Sequence, residues 1–325
     1  MKKVALIGKI HPEGISILSN NKCEVIDLTD APAKELKEIL KNVEAIAIRT
    51  AILDEELLKN CHTLKIVARH GVGFDNIDLN FLNNNGIALA ITGTANAVSV
   101  SEHVMTMFLY LCKLINQSDR LVKNGKFIEK TSIPDYFELY QKNILILGFG
   151  RTGKALAKRC LGFESKVFVY DPFVDTSIIL ENNCYPINFE EGIKIADFIS
   201  CHMPLNEKTK NMISKNELSL MKNTCILVNT SRGGIVNEKD LTWALRNKKI
   251  YGAGLDVYEK EPPDKLNPLF NLDNIVLSPH NAALTLECRK RMAVETCENI
   301  VYYLNNKIKL NVYNIINRAN LNLEI

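Results

Sequence analysis

The sequence predicts an α/β protein of two domains, each a parallel sheet with helices on both faces. Three observations carry this expectation. Short apolar runs of strand length alternate with amphipathic stretches along most of the chain, as strands buried on both faces between helices require. Glycines 148, 150 and 153 stand directly after one such run, where a strand would turn into a helix. The chain, at 325 residues, is long for a single hydrophobic core.

Taken in order, the first strand is KVALIG. Lys9 interrupts the apolar run behind it and no small-residue cleavage site follows, so the segment does not read as a signal peptide. CEVIDL, EAIAIR, LKIVAR and IALAI supply four more strands. Between two of them, APAKELKEILKN sets Leu36, Ile39 and Leu40 on one helical face. Residues 97–115, AVSVSEHVMTMFLYLCKLI, read as a long apolar helix. Glu102, His103 and Lys113 within it favour a buried or interface helix over a membrane span. The polar stretch 123–143, with Gly125 and Pro134, connects to a second set of strands: NILILG, KVFVYD, FISCHM, CILVNT, IYGAGLDV and NIVLSP. The closing helix offers Met292, Val294, Ile300, Val301 and Leu304 to a core and returns the chain to the first domain. The expected domains are 1–96 with 288–325, a smaller and discontinuous substrate domain, and 97–287, a dinucleotide-binding domain.

Composition sets the class. The hydrophobic fraction of 46% and charged fraction of 24% are those of a soluble globular protein. The net charge of +3 is spread thinly, with no basic stripe interleaved with aromatics, so neither nucleic acid nor a membrane is an expected partner. Nine cysteines form no CxxC pair, and several lie inside apolar runs, which points to reduced, buried thiols and a cytoplasmic protein. Six scattered histidines with no Cys/His cluster argue against a metal site.

NILILGFGRTGKALAKRC carries the most specific signal. Gly148 permits a tight turn, Gly150 lets backbone approach a pyrophosphate, and Gly153 lets helix and strand pack closely. The amides at the helix start then face the phosphates, aided by the helix dipole. The next strand ends in Asp171. A carboxylate there accepts from both ribose hydroxyls and repels a 2′-phosphate, so NAD is expected over NADP. The competing reading is a glycine turn beside a surface aspartate, which the complete strand–turn–helix context disfavours.

Three polar residues follow strands of the same domain: Arg232 after ILVNTS, Glu261 in LDVYEKEPP and His280 in NIVLSPHNAA. In doubly wound sheets, ligands gather at the carboxyl ends of strands. Hydride transfer from a secondary alcohol needs a base for the hydroxyl proton, which histidine can supply near neutrality. A carboxylate beside the imidazole orients it, and a guanidinium can fork onto a substrate carboxylate or polarise a carbonyl. Singly, each has a structural reading: Arg232 paired with Glu261, His280 satisfied after Pro279, Glu261 in a solvated turn. Together, beside a nucleotide fingerprint, they point to a small 2-hydroxy or 2-keto acid as substrate.

With these motifs in order, nearly the whole chain resembles the D-isomer-specific 2-hydroxyacid dehydrogenases, which include phosphoglycerate dehydrogenases and glycerate or hydroxypyruvate reductases. The motifs are GFGRTG, VNTSRGGIVNE, GAGLDVYEKEPP and LSPHNAALT, joined by ARHGVGFDNID and SVSEHVMTMFL. The resemblance implies a Rossmann-type nucleotide domain and a flavodoxin-like substrate domain. It implies His280 as acid/base, Glu261 as its partner and Arg232 as the substrate-binding catalytic residue. Cofactor contacts would fall on Arg151, Thr152, Asp171, Met203, Thr230 and Asp256, and the backbone amides of Val72 and Gly73 would hold the substrate carboxylate. It also implies a homodimer through the helix at 97–115. Met203 stands where a smaller or hydroxylated residue is common, and Gln141-Lys142 replaces a frequent Gly-Lys. The chain after His280 is too short for the regulatory domain of long phosphoglycerate dehydrogenases, so serine feedback through it is not expected.

His70 and Arg49 are further candidates, placed at the distal end of the substrate if that end is a phosphate or second acid. For Arg49, pairing with a local acid is an equal alternative. His103 reads as core or interface, and His202 as a neighbour of the cofactor without a chemical role. Which hydroxy acid is the substrate, and in which direction the reaction runs, stay open. So does a second class of function, an NAD-sensing protein of the same fold resembling transcriptional corepressors. An L-lactate dehydrogenase is disfavoured because those enzymes carry the fingerprint at the amino terminus.

Overall fold

Two parallel sheets organise the chain. The computed structural model describes residues 1–307 and 312–323, and divides into Met1–Asn96 with Leu284–Ile325 as one unit and Ala97–Ala283 as the other. Both sheets are parallel throughout.

In the first unit the strands are β1 (Lys2–Ile7), β2 (Cys23–Asp27), β3 (Ala45–Ile48), β4 (Ile66–Arg69) and β5 (Ala88–Ile91), in the spatial order β2-β1-β3-β4-β5. The helices between them are α1 (Pro12–Asn20), α2 (Ala33–Leu40), α3 (Glu55–Leu58) and α4 (Leu79–Asn84). Strand residues alternate between two cores: Val4, Leu6, Ala45 and Ala47 face one, Ala5, Ile7, Ile46 and Ile48 the other. Burial on both faces is why these strands read as unbroken apolar runs.

The second unit begins with α5 (Ala97–Cys112) and α6 (Ile115–Lys123). Its sheet contains β6 (Asn143–Leu147), β7 (Lys166–Tyr170), β8 (Tyr185–Pro186), β9 (Phe198–Cys201), β10 (Ile226–Asn229), β11 (Gly252–Leu255) and β12 (Ile275–Leu277), ordered β12-β11-β10-β9-β6-β7-β8. The helices α7 (Arg151–Gly162), α8 (Thr176–Glu181), α9 (Phe189–Ile195), α10 (Lys215–Leu220) and α11 (Glu238–Arg246) connect them. The last helix, α12 (Leu286–Leu304), belongs to the first unit.

Three expectations need adjusting. The chain re-enters the first unit at Leu284 rather than 288, because the first turn of α12 already packs there. Thr285 caps that turn by accepting from the Cys288 amide at 3.2 Å, and Arg291 Nε donates to the Ala95 carbonyl at 3.0 Å. The helix expected over 97–115 ends at Cys112, since Leu114 takes a left-handed conformation with φ of 49°, and α6 departs at 58°. Helix α5 is buried within its own unit through Val104, Met107, Phe108 and Leu111. Exposed apolar residues along this stretch include Val98 near the start of α5, Ile115 and Val122 of α6, and Phe127 and Ile128 beyond it. Strand β10 stops at Asn229, leaving Thr230 outside the ladder.

All nine cysteines are buried and free. Burial pushes Cys61 up to about 11 and Cys160 and Cys201 up to about 12. Among the described residues no single helix is long and apolar enough to cross a membrane.

Candidate active site

Register brings the chemistry of the second unit to one edge. Leu147 pairs with Tyr170 and Cys201, Asn229 with Cys201 and Leu255, and Leu255 with Leu277. Six strands therefore end on one line, about 4.8 Å apart. The loops leaving that line carry Gly148, Gly150, Asp171, Met203, Thr230, Arg232, Asp256, Glu261 and His280.

The glycine loop has the shape a pyrophosphate needs. Gly148 sits at φ of 96°, and a Cβ there would lie 2.7 Å from the His202 carbonyl oxygen. A Cβ at Gly153 would overlap the Gly148 carbonyl, so that position sets how closely α7 approaches β6. At Gly150, the N-cap of α7, a Cβ would meet nothing within 4 Å, and no side chain caps the helix. Open space thus faces the uncapped amides of Arg151, Thr152 and Gly153, a setting that favours an anion. Asp171 closes the loop: Oδ2 accepts from the Phe149 amide at 2.7 Å and Oδ1 from the Phe173 amide at 2.9 Å. Each oxygen keeps a lone pair for a ribose hydroxyl. Thr230 is buried, and its Oγ1 has no hydrogen-bond partner, an orphaned polar atom at the same edge. Met203 is also buried and packs against Gly148. These features fit a dinucleotide.

His202 points back into the unit, with Nε2 2.8 Å from Ser200 Oγ. Its desolvated imidazole is held down at about 4, so it is neutral at pH 7.

Arg232 lies in a loop held by Asn229. Asn229 Oδ1 accepts from the Ser231 amide at 3.1 Å and hydroxyl at 2.8 Å, and its Nδ2 donates to the Arg232 carbonyl at 2.8 Å. The guanidinium donates to the Ser231 carbonyl at 2.7 Å. Glu261 and His280, expected to pair, do so: Nδ1 and Oε2 are 2.7 Å apart. Glu261 Oε1 accepts from the Tyr258 amide at 3.1 Å, which fixes the carboxylate from its other side. With Nδ1 turned to the carboxylate, the Nε2 nitrogen is the one presented for proton transfer. Both side chains are partly exposed, at 51% for His280 and 38% for Glu261, so the pair is within reach of a solute.

In the first unit, Arg49 follows β3, and His70, Val72 and Gly73 follow β4. The amides of Val72 and Gly73 donate to no group among the described residues. Lys9, His11, Arg49, His70 and Arg289 line a cavity of about 190 Å³ whose lining contains no carboxylate. His70 is 4% exposed and its Nε2 has no partner. Burial, followed by the charge of Arg49, holds it down at about 4. Lys9, His11 and Arg289 were not anticipated, because at strand and helix ends they look like ordinary surface residues.

Residues 105–282 match the family described as D-isomer specific 2-hydroxyacid dehydrogenase, NAD binding domain, in agreement with the NAD expected from the sequence. The glyoxylate reductase of Pyrococcus furiosus is 35% identical over 317 residues, covering 95% of this chain and 94% of that protein. The D-3-phosphoglycerate dehydrogenase of Archaeoglobus fulgidus is 37% identical over 300 residues; the match takes 92% of this chain but 56% of that relative's length. Among solved structures, the Aquifex aeolicus D-lactate dehydrogenase complexed with NAD and lactic acid superposes with a TM-score of 0.82 at 28% identity, covering 96% of this chain and 98% of that one.

Proposed function

Because the chain belongs to the D-isomer-specific 2-hydroxyacid dehydrogenase family, we propose that it is an NAD-dependent oxidoreductase interconverting a small D-2-hydroxy acid and its 2-keto acid. The observation carrying this reading is the Glu261–His280 pair at 2.7 Å on the strand edge that also bears the glycine loop and Arg232. Arg151, Thr152, Gly153, Asp171, Met203, Thr230 and Asp256 would hold the dinucleotide. Bound NAD supplies the acceptor or donor of hydride. His280 takes the hydroxyl proton on oxidation and returns it on reduction, and Glu261 keeps the imidazole oriented. Arg232 binds the substrate and stabilises charge on the reacting oxygen. The amides of Val72 and Gly73 receive the substrate carboxylate.

Arg49 and His70 serve the far end of the substrate. Three cations around a small cavity without a carboxylate favour a distal phosphate or second acid, as in a phosphoglycerate-type substrate, over glyoxylate, which has no distal group. A cytoplasmic homodimer completes the reading. The exposed apolar side chains of α6 and of Phe127 and Ile128 support burial against a second copy, and the free, buried thiols support a reducing compartment.

The test is NADH oxidation with a panel of 2-keto acids with and without a distal phosphate. Turnover is expected, fastest for phosphorylated or diacid members. Tight NADH binding with no turnover of any keto acid would reject the enzyme in favour of an NAD-sensing protein.

A further inference from the structure

We propose that His103, Ser278 and Asp256 form a hydrogen-bonded chain that positions the His280 loop, with His103 as a positioning residue for the reaction. The inference rests on the proposed role of His280, and all four residues lie in one unit.

Ser278 Oγ donates to Asp256 Oδ1 at 2.6 Å and lies 2.9 Å from His103 Nε2. A hydroxyl has one hydrogen. Having given it to a carboxylate, in the short range of a charge-assisted bond, Ser278 can only accept from His103. The chain therefore runs His103 Nε2–H to Ser278 O–H to Asp256, and His103 carries its proton on Nε2. Asp256 is 1% exposed and spends its remaining capacity on the loop: Oδ1 accepts from the Asn281 amide at 2.9 Å and Oδ2 from the Ala282 amide at 3.0 Å. Tyr258 donates its hydroxyl to the Ser278 carbonyl at 3.0 Å.

His280 is thus clamped two residues before and one and two residues after itself. It needs the clamp, because its φ of 51° is left-handed, a conformation that persists in a non-glycine residue only where the surroundings over-determine it. Asp256 keeps one lone pair on Oδ2 for the cofactor, so the same carboxylate can hold the dinucleotide and the loop. Without the Nε2–H donor, Ser278 is no longer held from the helix side, and the imidazole loses its register with Glu261.

Four variants test this: His103→Leu, His103→Gln, Ser278→Ala and Ser278→Thr. Glutamine places an N–H donor where Nε2–H stands, and threonine keeps the hydroxyl. Expected for H103L and S278A is a loss of about 10-fold or more in kcat, with KM and the Kd for NADH held within about twofold, since a small misplacement costs rate rather than binding. H103Q and S278T should recover most of that loss. Hydrogen exchange of the segment 278–283, read on the same folded samples, should accelerate in H103L and S278A and return towards wild type in H103Q and S278T. Wild-type kcat in folded H103L, glutamine no better than leucine, or loss confined to NADH binding would overturn the proposal. Should the wild-type protein turn over no keto acid, the functional reading fails separately. The exchange data then decide the clamp alone, and unaltered exchange in H103L overturns it.

Discussion

Lowering the pH should loosen the first unit through one imidazole. His70 is buried with its Nε2 unpartnered, and burial together with the charge of Arg49 depresses it from 6.5 to about 4. Between those values the unfolded chain binds a proton that the folded chain refuses. The stabilising contribution is complete above 6.5 and is lost as pH falls towards about 4. The full effect is about 3 kcal/mol, of which about 2 kcal/mol disappears between pH 7 and pH 5. That is a large share of the 5–15 kcal/mol typical of a folded protein. The assay is urea unfolding of wild type and His70→Gln at pH 7, 6 and 5. Glutamine does not titrate, so the variant should lose about 2 kcal/mol less than wild type over this range. His202, also held at about 4, contributes equally to both proteins and cancels. Equal losses in the two proteins, within about 0.5 kcal/mol, would refute the reasoning.

Other changes have defined outcomes. His280→Ala should lower kcat by about 10²–10⁴-fold with the fold intact by circular dichroism. Asp171→Ala should cut the preference for NADH over NADPH by about 10-fold or more, measured as a ratio of kcat/KM values, because the repelling carboxylate is gone. Gly153→Val places side-chain atoms against the Gly148 carbonyl; a loss of about 2 kcal/mol or more in stability is expected, together with weakened NADH binding in titration. Arg49→Ala should raise KM for a keto acid with a distal phosphate far more than for its unphosphorylated counterpart, about 10-fold or more in the ratio.

Much of the second unit could be read from sequence because burial on both faces leaves an unbroken apolar signature. NILIL sends Ile144 and Ile146 into one core and Leu145 and Leu147 into the other. The parallel topology then does the rest: once ILVN, GAGL and IVL are strands of one sheet, the residues leaving them share an edge. The break at Leu114 was hidden, because leucine favours helices and its left-handed backbone is imposed by context. The contact of His103 with Ser278 joins residues 175 apart, one mid-helix and one at a strand end, with no local pattern to link them. The cationic cavity was half visible. His70 and Arg49 stand at strand ends, but Lys9 and Arg289 differ from solvated lysines and arginines only in what surrounds them.

The sealed thiols make the chain its own opening gauge. Cys23, Cys61, Cys288 and Cys297 lie in one unit and Cys112, Cys160, Cys184, Cys201 and Cys225 in the other, all shielded from solvent. A brief pulse of an alkylating reagent should leave the native protein nearly blank. Under partial denaturation, the tagged peptides would show which half gives way first, without a single engineered reporter.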